Sequence, residues 1–189
     1  MFILKDRYFL IIESIEDINL KSIKTNRKFC IIYRNSKYQE DLRDLFVFRK
    51  KCKTKRISFF IANNLYLARI LKCDGVYISA SNKSFKPLNL KNFKMEIIGS
   101  AHNIKEIDTK RKQGCEYIIV SKLFKVDYDI NSNFLGINKF NNLLRNNKRI
   151  IPLGGIKLHN LNKLRIINSK GLAIMSEIKK KPAISSRLF

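Results

Sequence analysis

Eight short apolar runs recur along this chain, at residues 8–12, 29–33, 57–61, 75–78, 95–98, 117–120, 149–153 and 171–175. Each is rich in Ile, Phe, Tyr or Val, and most are continuously apolar rather than alternating. Continuous apolarity marks strands buried on both faces, which is the environment of a parallel sheet covered by helices. Amphipathic stretches fill the gaps. Residues 38–51 carry Leu42, Leu45 and Phe46 at helical spacing, and 64–71 carry Leu65, Ala68 and Ile70. Further helices are expected over 104–113, 139–145 and 159–167, the last with Leu161, Leu164 and Ile167 on one side. Strand and helix alternating about eight times predict a small (β/α)8 barrel, with thin or truncated outer helices because 189 residues is short for that fold. A doubly wound open sheet is the rival. The length fits a single domain over residues 1–189.

The chain carries 39 Lys+Arg against 15 Asp+Glu, a net charge of +24. Such a surplus draws nucleic acid, anionic membrane or phosphorylated ligands. Lys, Asn and Ile are abundant throughout, so a low-GC coding bias accounts for the charge equally well. The basic run Arg49-Lys50-Lys51-Cys52-Lys53-Thr54-Lys55-Arg56 lacks interleaved aromatics for base stacking, so a nucleic-acid partner is not expected. Cys30, Cys52, Cys73 and Cys115 form no C-x-x-C pair and sit in or beside apolar runs, as packed thiols of a cytoplasmic protein do. No apolar run is long enough to span a bilayer, so no membrane partner is expected. Lys5, Asp6 and Arg7 interrupt the first apolar residues, which argues against a signal peptide.

Polar candidates cluster where the runs end. The seventh run ends in Pro152-Leu153-Gly154-Gly155-Ile156, and paired glycines let main-chain N–H groups approach a ligand. The eighth ends in Met175-Ser176-Glu177, where Ser176 can open a short helix whose free N–H groups bind an anion. Each is also an ordinary turn or cap. In this order at the end of the chain, they match the phosphate site of barrels. His102 follows the fifth run, as an acid–base group, a ligand contact or a capping residue. His159 falls in an outer helix and reads as solvated. Arg34 closes the second run, as a phosphate ligand or a surface residue. Residues 125–133 are polar and aperiodic, placed as an active-site loop after the sixth run.

These blocks, taken in order, resemble the thiamine-phosphate synthase family and its TenI-type relatives, which include a thiazole tautomerase. The resemblance rests on Tyr33-Arg34, Leu67-Ala68, Cys73-Asp74-Gly75-Val76, Ile98-Gly99-Ser100-Ala101-His102-Asn103, Gly114-Cys115-Glu116-Tyr117, Leu135-Gly136, Gly154-Gly155-Ile156 and Ala173-Ile174-Met175-Ser176. It implies a (β/α) barrel that joins a pyrimidine diphosphate to a thiazole phosphate, using magnesium and expelling diphosphate. It further implies that Gly154, Gly155, Met175 (through its N–H) and Ser176 hold the thiazole phosphate. Ser100, Asn63 and Lys122 become substrate contacts, and His102 and Arg34 the catalytic candidates.

The departures fall on the other half of the site. Ala62-Asn63 stands where the family has Asn-Asp, and Asn82 where it has a second magnesium-binding Asp. Tyr77 and Ser79-Ala80 replace a His and a Gly-Gln, and Ile32, Arg34 and Ser36 replace Gln-x-Arg-x-Lys, with Lys37 displaced by one. A Gly-Pro and Thr-rich loop becomes Ser121-Lys122 and Val126-Asp127-Tyr128. Magnesium prefers anionic oxygens, so Asn63 and Asn82 weaken the implied metal, leaving Lys122, Lys125 and Arg34 as compensating cations. Four readings follow: a synthase with a modified metal site, a metal-independent tautomerase-like or salvage enzyme using His102, a non-catalytic barrel binding a phosphorylated ligand, and a charge-driven nucleic-acid binder.

Overall fold

In a parallel sheet every backbone N–H and C=O must find a neighbouring strand, and closing the sheet satisfies its edges. The computed structural model of the chain describes residues 5–23, 27–35, 40–127, 129, 131, 133–145, 147 and 149–175. Eight strands run in parallel: β1 (Arg7–Ile12), β2 (Phe29–Tyr33), β3 (Ser58–Ala62), β4 (Gly75–Ile78), β5 (Glu96–Ala101), β6 (Tyr117–Val120), β7 (Ile150–Pro152) and β8 (Gly171–Ile174). Hydrogen-bonded neighbours run in the order β7-β6-β5-β4-β3-β2-β1-β8, so the first strand pairs with both the second and the last. The ring is a nearly closed barrel rather than an open sheet. At the seam between β7 and β8 a buried side chain bridges the strands: Ser169 Oγ lies 2.8 Å from the Ile150 carbonyl and 3.0 Å from that of Gly171.

Alternation along each strand divides the apolar residues between two cores. Phe9, Ile11, Cys30, Ile32, Phe60, Tyr77, Ile98, Ile119, Ile151 and Ala173 fill the barrel interior. The intervening residues, such as Leu10, Ile31, Phe59, Val76, Ile97 and Val120, face outward under the helices. Both sets are buried, which explains the unbroken apolar runs.

Four α-helices cover the outside: α1 (Leu42–Thr54), α2 (Leu65–Ile70), α3 (Ile104–Lys112) and α4 (Gly136–Arg145). Asp41, Asn64 and Asn103 cap the first three through side-chain oxygens that accept main-chain N–H groups. The face of α1 differs from expectation. Leu45, Phe48 and Cys52 pack inward, while Leu42 and Phe46 are exposed. The helix expected over 159–167 is a 3₁₀ segment, Leu158–Ile166. Its apolar residues Leu161, Leu164 and Ile167 repeat every third position, the period of a 3₁₀ turn rather than an α-helix. The crossovers after β1 and β4 also use 3₁₀ turns, at Ile15–Asp17, Leu20–Ser22 and Lys86–Phe93. The outer layer is therefore as thin as the chain length required.

The N-terminal end of the barrel is plugged by an ion pair. Arg7 opens β1 and Glu96 opens β5, and the guanidinium grips the carboxylate through both nitrogens, with Nη2 2.9 Å from Oε2. The guanidinium carbon also sits 4.9 Å from the ring centre of Tyr117 and 5.4 Å from that of Phe9. Cys30 lies against this plug, and burial pushes its thiol up to about 11. Burial likewise pushes Cys52 and Cys73 up to about 12, so these are packed thiols with little nucleophilic character. Among the described residues no helix is long and apolar enough to cross a membrane.

Removing one partner of a largely buried pair strands the other charge. Glu96→Leu is therefore expected to lower unfolding free energy by about 3 kcal/mol in urea denaturation. Asp108→Ala removes the partner of Arg111, whose pair is about half exposed (45% and 53%), and is expected to cost under about 0.5 kcal/mol. Equal losses in the two variants would contradict the plug.

Candidate functional site

Side chains beyond the C-terminal ends of the strands point away from the packed interior, and here they border one cavity of about 990 Å³. Its wall takes Arg34 just after β2, Tyr77 in β4 and Ser79 just after it, and Ser100 in β5 and His102 just after it. It continues with Ser121 and Lys122 after β6, Leu153 to Lys157 after β7, and Ala173 to Met175 at β8. Of the sequence candidates, Arg34, Ser100, His102, Lys122, Gly154, Gly155 and Met175 thus share one cavity. Ser176, Ser36, Lys37 and Tyr128 lie outside the described residues. Asn63 and Asn82 do not line the cavity; Asn63 instead bonds Ser79, which does. His159 is exposed on the outer layer, as expected. The basic run 49–56 belongs to the end of α1 and the turn after it, away from the cavity, where Arg49 pairs with Asp74 at 3.1 Å.

The glycine turn after β7 is wedged under the loop after β6. Gly155 has φ +66°, and a Cβ there would lie 2.4 Å from the Lys125 carbonyl oxygen and 2.6 Å from that of Phe124. Phe124 N–H donates to the Gly154 carbonyl at 3.0 Å and Leu123 N–H to that of Leu153 at 2.8 Å, locking the two loops together. Asn160, nearly buried, braces the turn: Nδ2 donates to the Gly155 carbonyl at 2.7 Å and Oδ1 accepts Lys157 N–H at 2.9 Å. Among the described residues no acceptor takes the N–H of Gly154 or Gly155. A rigid turn with free N–H groups is a site for an anionic oxygen.

Charge favours the same ligand class. The described lining holds Arg34, Lys83, Lys105, Lys122 and Lys157 against Glu106 and Asp127. Both carboxylates are engaged: Asp127 pairs with Lys157 at 2.5 Å, and Glu106 accepts the His102 N–H at 2.7 Å and Asn103 Nδ2 at 3.0 Å. Lys122 pairs with Asp129. Arg34, Lys83 and Lys105 have no carboxylate partner among the described residues, so the cavity carries a positive field.

His102 precedes the cap of α3, and Asn103 does the capping. Ser121 faces the imidazole, its Oγ 3.0 Å and its carbonyl oxygen 3.3 Å from Nδ1. This contact orients the ring and leaves Nε2 for a ligand. At the cavity base Tyr77 hydrogen-bonds Ser100; burial pushes its phenol pKa up, while the Ser100 bond opposes the shift.

Asn63 and Asn82, the positions that the resemblance assigns to the metal, do not fit a magnesium ion. Asn63 Oδ1 already accepts Ser79 N–H at 3.0 Å and Asn82 Nδ2 at 3.2 Å. Asn82 Oδ1 accepts Ser84 N–H at 2.9 Å. Both are neutral oxygens turned into protein hydrogen bonds, and among the described residues no three His, Cys, Asp or Glu side chains come together.

Sequence reasoning did not single out Asn160, Lys83 or Lys105, nor the pairing of Ser121 with His102. Asn160 acts on a turn five residues earlier with no motif to mark it, and two lysines among 39 basic residues carry no individual signal.

A family model described as thiamine monophosphate synthase matches residues 11–178. The chain belongs to this family. The thiamine-phosphate synthase of Prochlorococcus marinus strain SARG is 29% identical over 129 residues, covering 67% of this chain and 37% of that protein. That of Clostridioides difficile is 25% identical over 157 residues, covering 82% and 75%. The chain spans about half the length of several of these relatives, 50% in a second Prochlorococcus marinus protein. Among solved structures, thiamine phosphate pyrophosphorylase from Pyrococcus furiosus superposes with a TM-score of 0.73 at 14% identity, over 97% of this chain and 95% of that one. KGPDC from Streptococcus mutans superposes at 0.68 with 11% identity, over 98% and 95%. Likeness to two differently named barrels at such identity shows the fold alone, and membership of the thiamine monophosphate synthase family rests on the sequence match.

Gly155→Ala combines a strained φ with overlap against the loop after β6. It is expected to cost about 2 kcal/mol more than Gly136→Ala, because Gly136 has φ +68° but open space around it. Urea unfolding of both variants measures the difference, and equal losses would show that the turn is not wedged.

Proposed function

We propose that this chain acts in thiamine biosynthesis, holding a thiazole phosphate at the Gly154-Gly155 turn and joining it to a pyrimidine diphosphate. In that reaction the carbon–oxygen bond to diphosphate breaks, a carbon–nitrogen bond to the thiazole forms, and diphosphate leaves with the bonding pair. The observation that carries the reading is the braced glycine turn, with free N–H groups, opening into the same cavity as three cations without carboxylate partners. Family membership supports the substrate class.

The division of labour follows from the chemistry of each group. The N–H groups of Gly154 and Gly155, joined by that of Met175, take the monophosphate oxygens. Arg34 sits on the β2 side of the mouth and suits the spread negative charge of a diphosphate. Lys122 and Ser100 in the wall border the space between, with Asn63 behind Ser79. Positioning the two substrates in one cavity supplies much of the acceleration such a substitution needs. The charged substrates and the packed thiols agree with a cytoplasmic setting.

One observation favours a second reading. The Ser121 contact orients the His102 imidazole in the cavity wall, as a proton-transfer group requires. A tautomerase-like enzyme would use His102 alone on the held thiazole phosphate.

Incubation of the purified chain with the pyrimidine diphosphate and the thiazole phosphate is expected to yield thiamine phosphate and diphosphate in equal amounts. Binding of the thiazole phosphate without product would reject the synthase reading. On the second reading His102→Ala lowers proton exchange on the bound thiazole at least about 100-fold and spares binding. Unchanged exchange in that variant would remove His102 from the mechanism.

A further inference from the structure

The loop that carries the family's second metal position is a structural corner in this chain. Lys110 is almost fully buried in α3, and its Nζ donates to the Asn82 carbonyl at 2.6 Å. Gln113, also buried, donates from Nε2 to the carbonyls of Asn82 at 3.0 Å and Ser84 at 2.7 Å. Above this anchor the Asn82 side chain bonds Asn63, amide to amide. Two carboxylates in these places would repel each other unless a cation lay between them. Two amides satisfy each other without one. The clasp is complete as it stands, so nothing in it asks for a metal ion.

The cations lie elsewhere. Arg34, Lys83 and Lys105 line the cavity itself and have no carboxylate partner among the described residues. We infer that a second anionic group of the ligand, a diphosphate by chemical class, is held directly by Arg34, Lys83 and Lys105 in place of a divalent cation. This rests on the cavity being a phosphate-ligand site, as proposed above. One guanidinium and two ammonium groups impose no metal-like coordination sphere, so the grip is largely electrostatic and salt-sensitive.

The test is calorimetric titration of the full chain with inorganic pyrophosphate, in excess EDTA and separately in millimolar MgCl2. Binding is expected in EDTA. It should weaken about tenfold or more in an Arg34→Ala/Lys83→Ala/Lys105→Ala variant and stay unchanged in a Lys50→Ala/Lys51→Ala variant of the distant basic run. Binding that needs MgCl2, or that survives loss of the three cations, would overturn the inference and leave the phosphate reading standing. Failure of both pyrophosphate and inorganic phosphate to bind under either condition would overturn both. In a second arm the probe is MgCl2 alone. It is expected to leave the melting temperature of the natural chain unmoved and to raise that of an Asn63→Asp/Asn82→Asp variant. A rise in the natural chain would show a metal site where none is expected.

Discussion

Closure of the parallel sheet governs where chemistry can sit. Once eight strands pair side by side, their two faces are committed, one to the barrel interior and one to the helices. Polar groups then gather at and beyond the strand ends. The N-terminal end is taken by the Arg7–Glu96 plug, whose charges are spent on each other and on the surrounding rings. The C-terminal end stays open and gathers the ends of six strands, β2 and β4 to β8, around one cavity. The site is a consequence of topology before it is a consequence of any one residue.

Within that ring the two halves of the mouth are built differently. On the β7 side, backbone does the work: Gly155 fits under the Phe124–Lys125 carbonyls, and Asn160 fixes it there. Such a turn is rigid, and rigid N–H donors bind an anion without paying to order themselves. On the β3–β4 side, Asn63 and Asn82 form an amide clasp anchored by Lys110 and Gln113. Catalysis by a metal fixes geometry at the leaving group, whereas side-chain cations only lower its charge.

Much of the fold was legible because burial on both faces writes continuous apolar runs, and all eight were found within a residue or three of their observed limits. The inward face of α1 was misread because Leu42 and Phe46 are apolar and helically spaced yet exposed, while Cys52 supplied the third inward position. The 159–167 segment was read as α-helical although its strict three-residue repeat suits a 3₁₀ turn. That Gly154, Gly155 and His102 border the cavity was readable because each follows a strand end. Asn160 and the pairing of Ser121 with His102 were not, since they act through contacts between distant loops that no local pattern encodes. Lys83 and Lys105 were hidden among the many lysines of a chain at +24.

The account turns on a phosphate seated at the glycine turn. The most direct measurement is a crystal structure of the chain soaked with thiazole phosphate. Phosphate density within hydrogen-bond distance of the Gly154 and Gly155 N–H groups, beside the end of β8, is the predicted result. Phosphate density confined to the Arg49–Arg56 surface, with the mouth of the barrel empty, would contradict it.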